Sequence, residues 1–327
     1  MAQHFLLTRA AKTLTLARVM RMSNEEADTM FARIRWPDTS GEPVCPECEC
    51  RGVYNVRRPN GPPRWRCKAC GKEFTVTSGT LFAWHKMPMQ TYLAAIAIFV
   101  NEVKGKAALA LSRDLGTSYK TAFVLAHKLR EAMASELKGM QIGGEGETVE
   151  VDGGYFGGYV KPANRKDNRR DRRLTVNQNN KRQVVVVARE RGGRTIPAVF
   201  PTEAASSGWI AGRVSKGTKI VADEATSWNS LHGRYQVDRI DHSKAYSRDG
   251  IHSNGAEGYF SRLRRGEVGH HHHIAGPYLA RYAQEAAFRE DNRRVSNGDQ
   301  TKRTVALALS SKPSVDFCGY WQRHKVA

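Results

Sequence analysis

The chain has 327 residues, with 52 Lys and Arg against 32 Asp and Glu and a formal net charge of +20. Its hydrophobic content of 40% is ordinary for globular proteins and excludes wholesale disorder, and the length allows about two or three domains. So strong a positive balance implies a polyanionic partner, because each phosphate contact releases counterions, while no run approaches the roughly 20 apolar residues of a membrane-spanning helix.

Taken in chain order, Phe5-Leu-Leu7 gives way to Thr8 and Arg9 instead of a sustained apolar core. No signal peptide is expected, and the chain is expected in the cytosol. Residues 11–36 carry Met20, Met22, Ala27, Met30, Phe31 and Ile34 near helical spacing, with a capping-box pattern at Ser23-Asn-Glu-Glu26. Prolines at 37 and 43 end this helix.

A cysteine module follows. Cys45-Pro-Glu-Cys48 and Cys67-Lys-Ala-Cys70 are two C-x2-C knuckles, each placing both thiolates on one side, and together they complete a tetrahedral Zn2+ site. Cys50 is a spare thiol with poorer spacing. The β-prone residues between the knuckles, Val53, Tyr54 and Trp65, together with Phe74, suit a zinc ribbon. Arg51, Arg57, Arg58, Arg64, Arg66, Lys68 and Lys72 make it basic, so it either contacts DNA or serves as a structural staple.

Residues 89–137 read as helical, with a helix-turn-helix rhythm over 105–130. Ala108, Leu111 and Leu115 form an apolar face, Gly116 supplies the turn, and Ser118 caps a second helix. That second helix turns Ala122, Leu125 and Leu129 inward and offers Tyr119, Lys120, His127, Lys128 and Arg130 to DNA. A plain helical hairpin is the alternative. Beyond the Gly-rich stretch 139–146, strands are predicted at 148–152, 182–189, 194–200 and 218–222, and helices at 203–214, 228–234, 252–265 and 276–291. That order predicts an α/β domain with a mixed sheet. Residues 161–173 form a basic loop, and the stretch after Ser296 is too weakly patterned to assign.

Acidic residues stand at telling places in this pattern. Asp152 ends the strand Thr148-Val-Glu-Val-Asp152, with Glu150 on the same face. Asp223 ends a second strand. On the helix after residue 252, Asn254, Glu257, Ser261 and Arg264 share one face, so a cation lies two turns from a carboxylate. Clustered carboxylates repel one another and raise their pKa values unless Mg2+ or Mn2+ joins them. Two such ions could drive an in-line displacement at a phosphodiester.

These residues resemble the DDE transposases of bacterial insertion sequences, in a group with an N-terminal zinc ribbon and a ribonuclease-H-like (ISXO-type) catalytic domain. The matching motifs are the ribbon; Phe82-Ala-Trp-His-Lys-Met-Pro88; Val149-Glu-Val-Asp-Gly-Gly-Tyr-Phe-Gly-Gly158; Val221-Ala-Asp-Glu224; His252-Ser-Asn-Gly-Ala-Glu-Gly-Tyr-Phe260; and His271-His-His-Ile-Ala-Gly-Pro-Tyr-Leu279. Gly153 and Gly154 depart from the pattern, in which an acidic and a small polar residue commonly follow the first aspartate.

The resemblance implies an α/β fold, with a ribonuclease-H-like mixed-sheet catalytic domain preceded by a zinc ribbon and a helix-turn-helix segment. It implies an N-terminal helical segment (1–38), the ribbon (39–84), the helix-turn-helix segment (85–140), the catalytic domain (147–296) and a C-terminal tail (297–327). Asp152, Asp223 and Glu257 are the implied catalytic, metal-holding residues for two Mg2+ or Mn2+ ions. Asn254 is the alternative third residue, and Arg264 the cationic partner. Residues 161–173, Arg262, Arg264 and Arg265 are candidate phosphate contacts.

The implied activity is cleavage and strand transfer of double-stranded DNA, at terminal inverted repeats and a target. The implied state is a homo-oligomer on DNA, associated with the bacterial nucleoid and not with a membrane. A transposase-derived regulator without catalysis, or a nuclease that cuts without joining, are the alternatives.

Overall fold

A computed structural model describes residues 4–56, 61–84, 86–157, 163–170, 175–177, 181–240, 251–271 and 273–317. Its α-helices are α1 (Leu16–Arg21), α2 (Asn24–Arg35), α3 (Met89–Asn101), α4 (Ala108–Leu115), α5 (Tyr119–Ser135), α6 (Ser207–Arg213), α7 (Asn254–Gly266), α8 (Leu279–Asp291) and α9 (Asn297–Ser310). Its strands are β1 (Val53–Asn55), β2 (Trp65–Cys67), β3 (Glu73–Phe74), β4 (Thr148–Phe156), β5 (Gln183–Glu190), β6 (Thr195–Phe200), β7 (Lys219–Asp223) and β8 (Gln236–Ile240). None of the helices among the described residues is long and apolar enough to cross a membrane.

The chain divides into two units, one of Met1–Glu136 with Asn292–Ala327 and one of Leu137–Asp291. In the first unit, the single helix expected over residues 11–36 is two. The capping box is the reason: Ser23 accepts from Glu26 N while Glu26 reaches back to Ser23 N, which starts α2 and ends α1 at Arg21. Trp36 then packs edge-on against Trp65 and Phe74, with centroids 5.5 and 6.3 Å away, fastening the end of α2 to the antiparallel β1-β2-β3 ribbon. Residues after 296, unassigned from the sequence, form α9, capped by Ser296 and packed on α2, α3 and α5.

This cover corrects the outlook of α5. Gly116 ends α4 at φ +61° and Ser118 accepts from Thr121 N, and Ala122, Leu125 and Leu129 face inward as expected. His127, Lys128 and Arg130, however, are buried and do not face solvent. His127 stacks on Phe317, and the Arg130 guanidinium lies over Phe99 at 5.3 Å and donates to the Lys106 carbonyl. Only Tyr119 and Lys120, at the start of the helix, are exposed.

The second unit is a five-stranded sheet in the order β6-β5-β4-β7-β8. β4, β5 and β6 pair antiparallel, and β7 and β8 run parallel to β4. This is the ribonuclease-H-like mixed sheet. Alternation along β4 and β5 splits the apolar side chains between two layers. Val149, Val151, Val184 and Val186 pack with Ile210 of α6 and Trp228 on one face, and Val185, Val187 and Phe156 pack with Tyr259, Phe260 and Leu263 of α7 and with α8 on the other. β8 was not predicted, since Asp238 and Arg239 interrupt its apolar alternation at the sheet edge.

Candidate active site

β4 and β7 bring two aspartates side by side. Val151 pairs with Ala222 in parallel register, so Asp152 and Asp223 are the next residues on adjacent strands, where β7 ends. The loop after β7 is held by its own contacts: Asp223 Oδ1 accepts from Trp228 Nε1 at 2.6 Å and from Ala225 N at 3.2 Å. Arg239 Nη1, from β8, donates to the carbonyls of Asp223 and Ala225 at 2.7 and 3.0 Å. Gly153 N donates to Asp152 Oδ1 at 2.7 Å, which fixes the first carboxylate by its own backbone.

Burial pushes the Asp152 carboxyl up to about 6, against the Gly153 N–H that favours its charge, and the negative charges of Asp223, Glu257 and Glu203 push in the same direction as burial. Glu257 stands in the first turn of α7 and is half-buried, whereas Asn254 is the exposed first residue of that helix. Arg264 is exposed two turns further on, its guanidinium 5.8 Å from the Phe156 ring centre. Arg262 has a structural partner, since its Nε lies 2.5 Å from Glu290, which is buried. Of the basic loop 161–173, residues 164–170 are exposed, and the remaining basic positions there, like Arg57 and Arg58, lie outside the described residues.

Glu203 is the acid that the sequence reading missed. It follows β6 just ahead of α6, and its carboxyl is raised by burial and by Asp223 while a Ser227 hydrogen bond opposes the shift. A Cβ built on Gly153 would lie 2.6 Å from Glu203 Oε1, so the absent side chain at 153 leaves the room that Glu203 fills. No local spacing links positions 152 and 203; only the strand hairpin of β4, β5 and β6 does. Asp152, Asp223, Glu257 and Glu203 all offer carboxylate oxygen, the donor type a hard divalent cation such as Mg2+ or Mn2+ prefers, although among the described residues only the four cysteines stand close enough together to hold one ion as they are.

In the other unit the four expected thiols come together. Cys45, Cys48, Cys67 and Cys70 have ligand atoms within 4.8 Å of one another, with Cys45–Cys70 at 3.6 Å and Cys48–Cys67 at 3.5 Å. Tetrahedral Zn–S bonds of about 2.3 Å require sulfurs roughly 3.8 Å apart, so the set fits structural zinc. Backbone N–H groups of Cys70 and Ala69 hold the Cys67 thiol down at about 6, whereas, against the Cys50 N–H, the neighbouring thiols push Cys48 up to about 12, so the four sulfurs share protons unless a metal replaces them. Cys50 stands outside the set, its sulfur accepting from Gly52 N at 3.3 Å.

Residues 142–291 match the ISXO2-like transposase domain, and residues 22–73 match the transposase zinc-ribbon domain. An uncharacterized protein in the transposable element ISH50 of Halobacterium salinarum is 23% identical over 298 residues, spanning 88% of this chain and 98% of that protein.

Proposed function

Since the chain belongs to the ISXO2-like transposases, we propose that it binds the terminal inverted repeats of its element and catalyses metal-dependent DNA cleavage and strand transfer. The observation that carries this reading is Asp152 beside Asp223 on adjacent parallel strands, where β7 ends, with the charges of Glu257 from α7 and Glu203 from ahead of α6 acting on Asp152 as well. Asp152, Asp223 and Glu257 would hold two Mg2+ or Mn2+ ions. Such ions, when bound, lower the pKa of an attacking water or 3′-hydroxyl and stabilise the leaving oxygen.

The protein's own share is orientation. Gly153 N and Trp228 Nε1 each engage one oxygen of an aspartate, which fixes the direction of the other. The first turn of α7 presents Glu257, which we favour over Asn254 because it carries a full charge and acts on Asp152. Arg264, exposed on the same helix, is assigned to a DNA phosphate. The zinc ribbon and the exposed start of α5 are assigned to the inverted repeat, and two protomers to the two ends of the element.

The test is an incubation of purified protein with terminal-repeat duplexes and a supercoiled target, with Mg2+ or Mn2+. Joined products are expected. Cutting without joining would identify a nuclease, and tight binding without either would identify a regulator.

A further inference from the structure

We propose that Glu150 is a positioning residue that pins the first turn of α7, and thereby Glu257, to the strand that carries Asp152. β4 alternation places Glu150 on the same face as Asp152, one pleat earlier, roughly 7 Å along the strand. Its side chain is buried, at 2% exposure. Oε2 accepts from Ala256 N at 2.9 Å, and Oε1 accepts from Arg191 Nε at 3.1 Å. Arg191 Nη2 in turn donates to the carbonyl of His252 at 2.7 Å, just ahead of the helix. The carboxylate and its arginine thus hold α7 at the residue preceding Glu257 and at the residue preceding its N-cap.

The helix needs this. Ser253, the N-cap residue, has φ −110° and ψ 24°, and its side chain makes no capping hydrogen bond. Orphan N–H groups at a helix N-terminus favour an acceptor and a negative charge, and Glu150 supplies both from a neighbouring strand. Gly255 makes the approach possible, because a Cβ there would lie 2.7 Å from Glu150 Oε2 and 2.9 Å from Arg189 Nε. A buried carboxylate is tolerable only when paired, and this one is paired on the two sides that matter, to Arg191 and to the helix backbone. Ala256 directly precedes Glu257 on α7, and Glu150 is the residue before Asp152 on the same face of β4.

The assignment of Glu257 to metal rests on the proposed function; the pin itself does not. The test is amide exchange by mass spectrometry on the full chain with zinc retained, comparing the parent with Glu150→Gln and Gly255→Ala. Glu150→Gln keeps the buried shape but loses the charge. Gly255→Ala leaves Glu150 in place but forces its carboxylate off the helix.

Both variants are expected to exchange at least tenfold faster over residues 255–259, with β4 and β5 protected as in the parent. Mn2+ affinity by calorimetry is expected to fall about tenfold in each. Gly255→Ala is decisive in sign. Ordinary helix propensity would slow exchange there, so slower or parental exchange overturns the pin, as does a uniform loss of protection across the strands. If Glu257→Gln bound Mn2+ like the parent, the metal role of Glu257 would fall while the exchange result still decided the pin.

Discussion

Replacing Asp152 with asparagine is expected to strengthen the fold in the absence of Mg2+ and Mn2+ while ending the chemistry. The folded carboxyl sits at about 6 against an ordinary 3.8. A difference of about two units corresponds to about 3 kcal/mol. The sign follows from which state holds the proton more tightly. A raised folded pKa contributes stability that is complete below about pH 4 and lost as pH rises through 6. At pH 7.5 the parent therefore carries an ionised Asp152 that weighs against folding. The variant carries no such charge and keeps an oxygen for Gly153 N–H, which reaches Oδ1 at 2.7 Å in the parent.

The two proteins should match at pH 4, and the variant should gain up to about 3 kcal/mol by pH 7.5. In a unit of this size that is roughly 6–12 °C in midpoint. Because the chain has two units, the midpoint should be followed by exchange of β4 and β5 peptides, in buffer that retains zinc but lacks other divalent ions. Added Mg2+ should then stabilise the parent more than the variant. A variant less stable than the parent at pH 7.5, or a difference independent of pH, would refute the reasoning.

Four further outcomes are expected. Cys48→Ser should lower bound zinc well below one equivalent by elemental analysis, while Cys50→Ser should retain it, since that sulfur lies outside the cluster. Glu257→Gln should lower strand transfer by about a thousandfold or more, and Asn254→Ala by less than about tenfold, on the scale of losing a group that acts in the transition state; the reverse order would transfer the third role to Asn254. Arg130→Ala should destabilise the fold by about 2–4 kcal/mol through lost packing on Phe99, whereas Lys120→Ala should leave stability unchanged and reduce the salt slope of DNA binding by about 1. Gly153→Ala should weaken Mn2+ binding in calorimetry, because its Cβ displaces the Glu203 carboxylate; parental affinity would remove Glu203 from the site.

Much of this was legible where local pattern and tertiary burial agree. Val184–Val187 and Ile220–Ala222 are continuous apolar runs because each is covered on both faces, so their strands could be read directly. The two C-x2-C pairs announced the cluster because the knuckle is a local geometry. The strand predicted over 148–152 runs on through Gly153 and Gly154 to Phe156, where Glu203 and the Phe260 ring occupy the spaces that side chains at 153 and 154 would fill. The outlook of α5 was misjudged for a non-local reason. His127, Lys128 and Arg130 look solvent-facing until α9 and Phe317, more than a hundred residues later, close over them. Glu203 was invisible for the same reason.

The second unit holds carboxylates of two kinds, and their surroundings distinguish fastening from chemistry. Glu150 meets Arg191, and Glu290 meets both Arg189 and Arg262; both acids are almost wholly buried and tie one element to another through an arginine. Asp152 faces other acids instead, and three of them add to the burial that raises it. Paired charges hold their partners in place whatever the solution contains. A carboxylate raised by burial and by its like-charged neighbours is relieved only by protons or by a cation, as expected of the divalent-ion site proposed above. Chelating Mg2+ and Mn2+ is accordingly expected to cost this unit stability without loosening α7 or α8, because the arginines that hold those helices do not depend on the ions.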